Sequence, residues 1–284
     1  MKIITNDYGC GTSASILDYN LEDAIVVSEE SWEHIFDIED DLFFVGHDFL
    51  YYIWDTDEKV ERLNKHKFDK HVWCFERIDA IFEHWAEKSH KSIEQIKKFT
   101  DKIYCCDEVD HHKYGYTWLP QWASPRFYKN KNLEIVHDKI LFSGQAGKQD
   151  YIFRNDLLNR IFHDPDIKEK LVITNLDRNL TWDDYIVNFL SYSCILNPLG
   201  TIQALNTRAY ETLYSGRILL QHSLGRYTKH ADILGDYENL IFFYNFDDLK
   251  NKLENLDLKK RYENNAYEEN SIFARFKSIG VEIK

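Results

Sequence analysis

The segment Asn197-Pro198-Leu199-Gly200-Thr201-Ile202-Gln203-Ala204-Leu205-Asn206-Thr207-Arg208-Ala209-Tyr210-Glu211 concentrates side chains suited to holding an anion beside a polyol. An apolar run ends at Asn197, a loop follows, and a helical pattern starts near Asn206 and stops at Gly216. Asn206 is placed to cap the helix, and Gly216 to end it in the left-handed conformation. The amino end of a helix carries unpaired N–H groups and partial positive charge, which suit phosphate. Arg208 adds a forked donor for phosphate oxygens. Glu211, one turn further on, could accept hydrogen bonds from two vicinal hydroxyls such as those of a ribose. A local reading stands beside this one. In it Glu211 complements the helix dipole and Arg208 is a solvated charge.

In the amino-terminal half, residues of similar promise follow successive apolar runs. Gly9-Cys10-Gly11-Thr12-Ser13 follows the first, Gly46-His47-Asp48 the third, Glu76-Arg77 the fourth and Asp107-Glu108 the fifth. A transfer to a hydroxyl group needs a carboxylate or imidazole to take its proton, and His47, Asp48, Glu76 and Asp107 are the candidates. Each of them would serve equally as a turn or helix-cap residue. His111-His112 with Asp107 and Asp110 has the composition of a metal cluster, but adjacent side chains diverge on a helix. No metal site is expected there. Asp55-Thr56-Asp57 stands at a helix start, where capping explains it, and Glu39-Asp40-Asp41 suits a solvated turn. Tyr114, Tyr116, Trp118 and Trp122 could stack on a sugar or base or simply fill the core.

These residues need strands and helices to position them. Apolar runs fall at Lys2–Thr5, Ala24–Val27, Leu42–Val45, His71–Phe75 and Lys102–Cys105, and again at Lys139–Phe142, Leu171–Thr174, Ser193–Leu196, Ile218–Gln221 and Leu240–Phe243. Between them lie amphipathic segments at Glu58–Lys67, Ile78–Lys88, Asp150–Phe162, Trp182–Leu190, Thr207–Tyr214 and Phe246–Leu256. Continuous apolar strands alternating with helices predict parallel sheets covered on both faces. The expected fold is therefore α/β, with two Rossmann-like domains, residues 1–124 and 125–284. Leu119-Pro120-Gln121-Trp122-Ala123-Ser124-Pro125 would link them, and Lys259–Lys284 would form a helix packing back on the first domain. Ligands of such sheets bind at the carboxyl ends of the strands, here at a cleft where the domains face.

Composition narrows the function classes. The 284 residues are 44% hydrophobic and 29% charged, with 11 glycines and 4 prolines, as in a soluble globular protein. The net charge of −13 is concentrated in residues 1–128, which hold 26 acidic and 14 basic residues. That balance disfavours a chain built to coat nucleic acid or another long polyanion. No apolar stretch reaches the roughly 18 residues of a membrane span, and Met1–Asp7 lacks the pattern of a signal peptide. Cys10, Cys74, Cys105, Cys106 and Cys194 form no C-x-x-C pair, which points to reduced thiols and a cytoplasmic protein.

The ordered motifs of the second half resemble a known family. Asn206-x-Arg208-x-Tyr210-Glu211 followed by Gly216 and an apolar strand is similar to the nucleotide-sugar segment N-x-R-x-[FY]-E-x-x-x-x-G of group-1 GT-B glycosyltransferases related to spore maturation enzymes. Ile140-Leu141-Phe142-Ser143-Gly144-Gln145-Ala146-Gly147-Lys148, with Arg154 beyond it, resembles that family's strand, glycine loop and helix, and Trp118-Leu119-Pro120 resembles the preceding linker. The likeness covers most of residues 116–250. It implies a metal-independent glycosyltransferase with no cofactor, using a nucleoside-diphosphate sugar as co-substrate. By position, Glu211 would bind the donor ribose. Ser143, Gly144 and Arg208 would hold the diphosphate, joined by Lys148, Arg154 and Asn206, with Gly9 and Gly11 near the donor sugar. Many retaining members carry two glutamates eight residues apart, but Gln203 stands eight before Glu211, so the stereochemical outcome stays open. The acceptor expected is a saccharide or other hydroxyl compound. A hydroxymethylated base in DNA and a non-catalytic nucleotide- or glycan-binding module are the alternatives.

Overall fold

The structure is a computed structural model describing residues 1–6, 11–79, 83–146, 152–174, 180–200, 205–225 and 237–284, with the backbone alone at 11–14 and 83–85. Its contacts divide the chain into two units, Met1–Gln121 with Ile272–Lys284, and Trp122–Ser271.

The first unit holds strands β1 (Lys2–Asn6), β2 (Ala24–Val27), β3 (Leu42–Val45), β4 (Lys70–Cys74), β5 (Ile103–Cys105) and the short β6 (Thr117–Trp118). They form one sheet in the order β2-β1-β3-β4-β5-β6, every pairing parallel. Ile4, Leu42, Phe44, Val72 and Cys74 enter a core with Trp54, Val60, Leu63 and Ile96. On the opposite face Phe43 packs against Tyr104 and Phe276, with ring centroids 5.5 and 4.6 Å away. Burial on both faces is what makes β3, Leu42–Val45, continuously apolar, while the edge strands β2 and β6 are only partly buried.

In the second unit β7 (His137–Ser143), β8 (Leu171–Thr174), β9 (Tyr192–Asn197), β10 (Ile218–His222) and β11 (Leu240–Phe243) form a parallel sheet ordered β11-β10-β9-β7-β8. Leu141, Ile195 and Leu219 meet the helices Trp182–Leu190 and Thr207–Tyr214 on one face. Ile140, Phe142, Cys194, Leu196, Ile218 and Leu220 meet the helices Ile152–His163 and Phe246–Glu254 on the other.

Counted within its own unit, each sheet has the strand order 2-1-3-4-5, the first with a sixth strand added. This doubly wound Rossmann-like order reverses direction beside its first strand, and the crevice at that reversal is the usual ligand position. It lies at the carboxyl ends of β1 and β3 in the first unit and of β7 and β9 in the second. Among the described residues no helix is long and apolar enough to cross a membrane.

Two segments differ from the sequence expectation. The helix expected at Ile78–Lys88 runs Glu83–Ile96 instead. The backbone N–H of Ile78 donates to buried Asp110, 2.8 Å away, and so serves the turn rather than a helix. The carboxy-terminal stretch forms two short helices, Ala266–Asn270 and Ile272–Ser278, rather than one. Ser271 is extended at φ −64° and ψ 165°, while the Asn270 side chain is turned onto the carbonyl of Ala266 and the hydroxyl of Tyr237.

Candidate functional site

The carboxyl edge of the second sheet gathers the residues that chemistry singled out. β7 ends in Ser143, wholly buried, whose hydroxyl has no hydrogen-bond partner among the described residues. Gly144 follows at φ 150°, and a Cβ built there would collide with Nη2 of Arg208. The backbone conformation favours glycine, and its absent side chain leaves the space that the guanidinium fills. Arg208 donates through Nη1 to Oδ1 of Asn197 at the end of β9, 3.0 Å away, and lies over the Phe142 ring at 5.4 Å. The strand ends and the helix start are thus tied by one arginine.

Asn206 caps the helix Thr207–Tyr214, its side chain accepting from the N–H of Ala209. Asn206 and Asn197 exchange side-chain hydrogen bonds of 3.1 and 3.3 Å, and Asn197 also donates to Gln221 on β10 at 2.7 Å. The helix ends as expected, with Gly216 at φ 65° packed so closely on the carbonyl of Tyr262 that a Cβ would strike it. Arg154, on the helix after β7, is buried; it donates to the carbonyl of Gln145 at 2.7 Å and lies over Phe142 at 5.6 Å. Two arginines therefore flank one aromatic ring beside the glycine turn.

Glu211 lies on the inner side of its helix, 3% exposed, where Ala209–Tyr214 are all buried. Burial pushes its carboxyl up to about 7, opposed by the hydrogen bond from Tyr185 and by the charge of Arg208. The Tyr185 hydroxyl donates to Oε2 at 2.7 Å. Glu211 is thus a buried group bonded to Tyr185 rather than a solvated charge. Further along the edge, His222 at the end of β10 is 7% exposed and stacks on Phe243 at 5.1 Å. Burial holds its imidazole below its ordinary pKa, opposed by a backbone hydrogen bond with Tyr244 and the charge of Asp156.

The first unit places its candidates unevenly. His47, fully buried behind Gly46 at φ 103°, bonds through Nε2 to the hydroxyl of Ser89 at 2.5 Å, and burial lowers its pKa. Nδ1 lies 3.7 Å from Oδ1 of Asp48. Asp107 is buried and caps the helix Glu108–Tyr114, accepting from the N–H of Val109 at 2.9 Å. Glu76 is half-buried after β4. The strand ends thus bring His47 and Asp48 together, while Asp107 has the capping role. Gly11 opens the first helix of the unit. Gly9, Lys148 and Gln203 lie outside the described residues.

Among the described residues no three His, Cys, Asp or Glu side chains are grouped to hold a metal ion. His111 bonds to the carbonyl of Tyr116 at 2.6 Å and His112 to Glu108 at 3.4 Å, so the two rings serve different partners. Cys74, Cys105, Cys106 and Cys194 are buried free thiols.

Sequence reasoning gave no site role to half-buried Tyr185 and weighed Asp110 only as part of a metal cluster. Tyr185 carries no motif, and only the fold brings it to Glu211. Asp110 is wholly buried, and burial with the charge of Asp107 pushes its carboxyl up to about 7 against the N–H of Ile78 and the charge of Arg77. Its sequence signal, an acidic residue three after an Asp cap, indicates only a helix start. In comparisons with known proteins, the chain matches no protein-family model and no curated protein sequence.

Proposed function

We propose that the chain is a metal-independent glycosyltransferase of GT-B type. Its second unit would bind a nucleoside-diphosphate sugar, and its first would receive a hydroxyl acceptor, a saccharide or related compound. One observation carries the reading. At the strand-order reversal of the second sheet, Gly144 gives its side-chain space to Arg208, which is tied to Asn197, beside a capped helix start and the buried carboxylate of Glu211. Such an edge offers N–H donors and a guanidinium to a diphosphate and a carboxylate to a ribose.

In the reaction the acceptor oxygen forms a bond to the anomeric carbon as the bond from that carbon to the diphosphate oxygen breaks. The leaving diphosphate takes the electron pair, and Arg208 with the helix N–H groups stabilises the growing charge. The acceptor proton would pass to a carboxylate base. Asp48 and Glu76 are the residues suited to it, since Asp107 caps a helix and His47 is enclosed and bonded to Ser89. The test is turnover of nucleoside-diphosphate sugars, with release of the nucleotide followed in wild type and in Glu211→Ala. Release from one donor, lost in the variant while the fold persists, supports the proposal. Equal nucleotide affinity in wild type and variant would remove the donor-site assignment.

A further inference from the structure

Glu211 presents a physical problem that the donor-site reading leaves open. It sits within a helix whose residues Ala209–Tyr214 are all buried, and an ionised carboxylate there is costly unless hydrogen bonds and charge support it. Part of the support comes from a different helix. Tyr185, on Trp182–Leu190, donates its hydroxyl to Oε2, and the guanidinium of Arg208 lies close to both the phenol and the carboxylate. Among the described residues, these are the titratable groups that act on Glu211.

The phenol is itself held rigidly. Its ring stacks on Trp182 at 5.5 Å and 12°, meets Phe127 edge-on at 6.3 Å and packs on Phe189 at 5.7 Å. The helix that carries it is capped by Thr181 and tied to the end of β8 by Asn188, which donates to Thr174 Oγ1 at 3.1 Å. A donor so well braced holds Oε2 of Glu211 in place. Among the described residues Oε2 takes the bond from Tyr185 and Oε1 takes none.

From this geometry we infer that Tyr185 is a positioning residue of the nucleotide site: its hydroxyl holds Oε2 of Glu211 and leaves Oε1 to accept from a ribose hydroxyl. The inference rests on the donor-site reading above and adds to it the group that makes Glu211 usable near neutral pH. With Oε2 held by Tyr185, a ribose hydroxyl on Oε1 asks both oxygens to accept, which the carboxylate does better than the carboxyl with its own O–H, so nucleotide affinity rises with pH through the titration of Glu211. Without Tyr185 that rise moves to higher pH.

Tyr185→Phe tests this, because it retains every ring contact and removes one hydroxyl. Two measurements are made on the full chain: the pH titration of the Glu211 carboxyl carbon by NMR without ligand, and the affinity for UDP, GDP and ADP between pH 5.5 and 9. The variant should keep its fold and raise the Glu211 midpoint by about one pH unit, the value of a hydrogen bond to a charged group. Its affinity for the nucleotide that binds wild type should fall about fivefold at pH 7 and nearly tenfold at pH 5.5, recovering towards pH 9. An unchanged carboxyl midpoint, or an affinity loss equal at every pH, overturns the role of Tyr185. If none of the three nucleotides binds wild type at any pH, the donor-site reading itself fails, and the two failures are thereby distinguished.

Discussion

Replacing Glu211 by glutamine should stabilise the fold while damaging the site. Glu211 is 3% exposed, and its carboxyl is raised from an ordinary 4.5 to about 7 by burial. A raised carboxyl pKa means that the folded state holds its proton longer than the unfolded chain does. The group therefore costs nothing at pH 4, where it is neutral in both states. The cost grows as pH rises from about 4.5 towards 7 and is constant above. At 1.36 kcal/mol per unit the full cost is about 3 kcal/mol. Glutamine keeps an oxygen to accept from Tyr185 and brings no charge. Glu211→Gln should thus match wild type near pH 4.5 and exceed it by about 2–3 kcal/mol at pH 8.5. For a unit of this size that corresponds to a rise of about 5–10 °C in melting temperature. Melting followed by tryptophan fluorescence from pH 4.5 to 9 reads it, and nucleotide affinity of the same variant should fall. A stability difference that does not change with pH, or a variant less stable than wild type at pH 8.5, would refute the reasoning.

Other perturbations test separate parts of the account. Ser143→Ala removes a buried hydroxyl without a partner among the described residues, so chemical denaturation should show stability within about 0.5 kcal/mol of wild type or slightly above it. Calorimetry should show weaker nucleotide diphosphate binding in the same variant. Gly144→Ala places a methyl group where Arg208 lies and strains φ 150°, so it should cost about 1–3 kcal/mol and weaken diphosphate binding more than Ser143→Ala does. Asp110→Asn can still accept from Ile78 and removes a buried charge. Its stability gain should appear between pH 4 and 7 and reach at most about 4 kcal/mol, as read from urea midpoints across that range.

Much of this architecture was legible because parallel strands alternating with helices are written as short apolar runs, at the half-buried sheet edges as well as in the buried Leu42–Val45. Ala24–Val27, Leu42–Val45, Leu171–Thr174 and Leu240–Phe243 coincide with their strands, and Thr207–Tyr214 is bounded by an Asn cap and a left-handed Gly. The Ile78–Lys88 expectation slipped because Ile78 is buried through a turn held by Asp110, a contact between residues 32 apart. The site divides in the same way. Asn206, Arg208 and Glu211 share one helix and are visible as a spacing. Tyr185 reaches Glu211 across 26 residues, and an aromatic residue inside an amphipathic helix is indistinguishable from core until the sheet is assembled. Asp107 and His47 could be placed at strand ends by position, but whether a strand-end side chain meets solvent, a partner or a backbone N–H depends on neighbours far along the chain.

The most direct test of the central claim is a thermal-shift panel of nucleoside mono- and diphosphates and their sugar conjugates, run at pH 8 where Glu211 is ionised. A nucleotide present at a hundred times its dissociation constant stabilises the folded state by about 2.7 kcal/mol, a shift of several degrees. The account predicts such a shift for one nucleoside-diphosphate family and its sugar conjugate, reduced in Glu211→Gln and in Gly144→Ala. Melting temperatures unchanged by every member of the panel would contradict it.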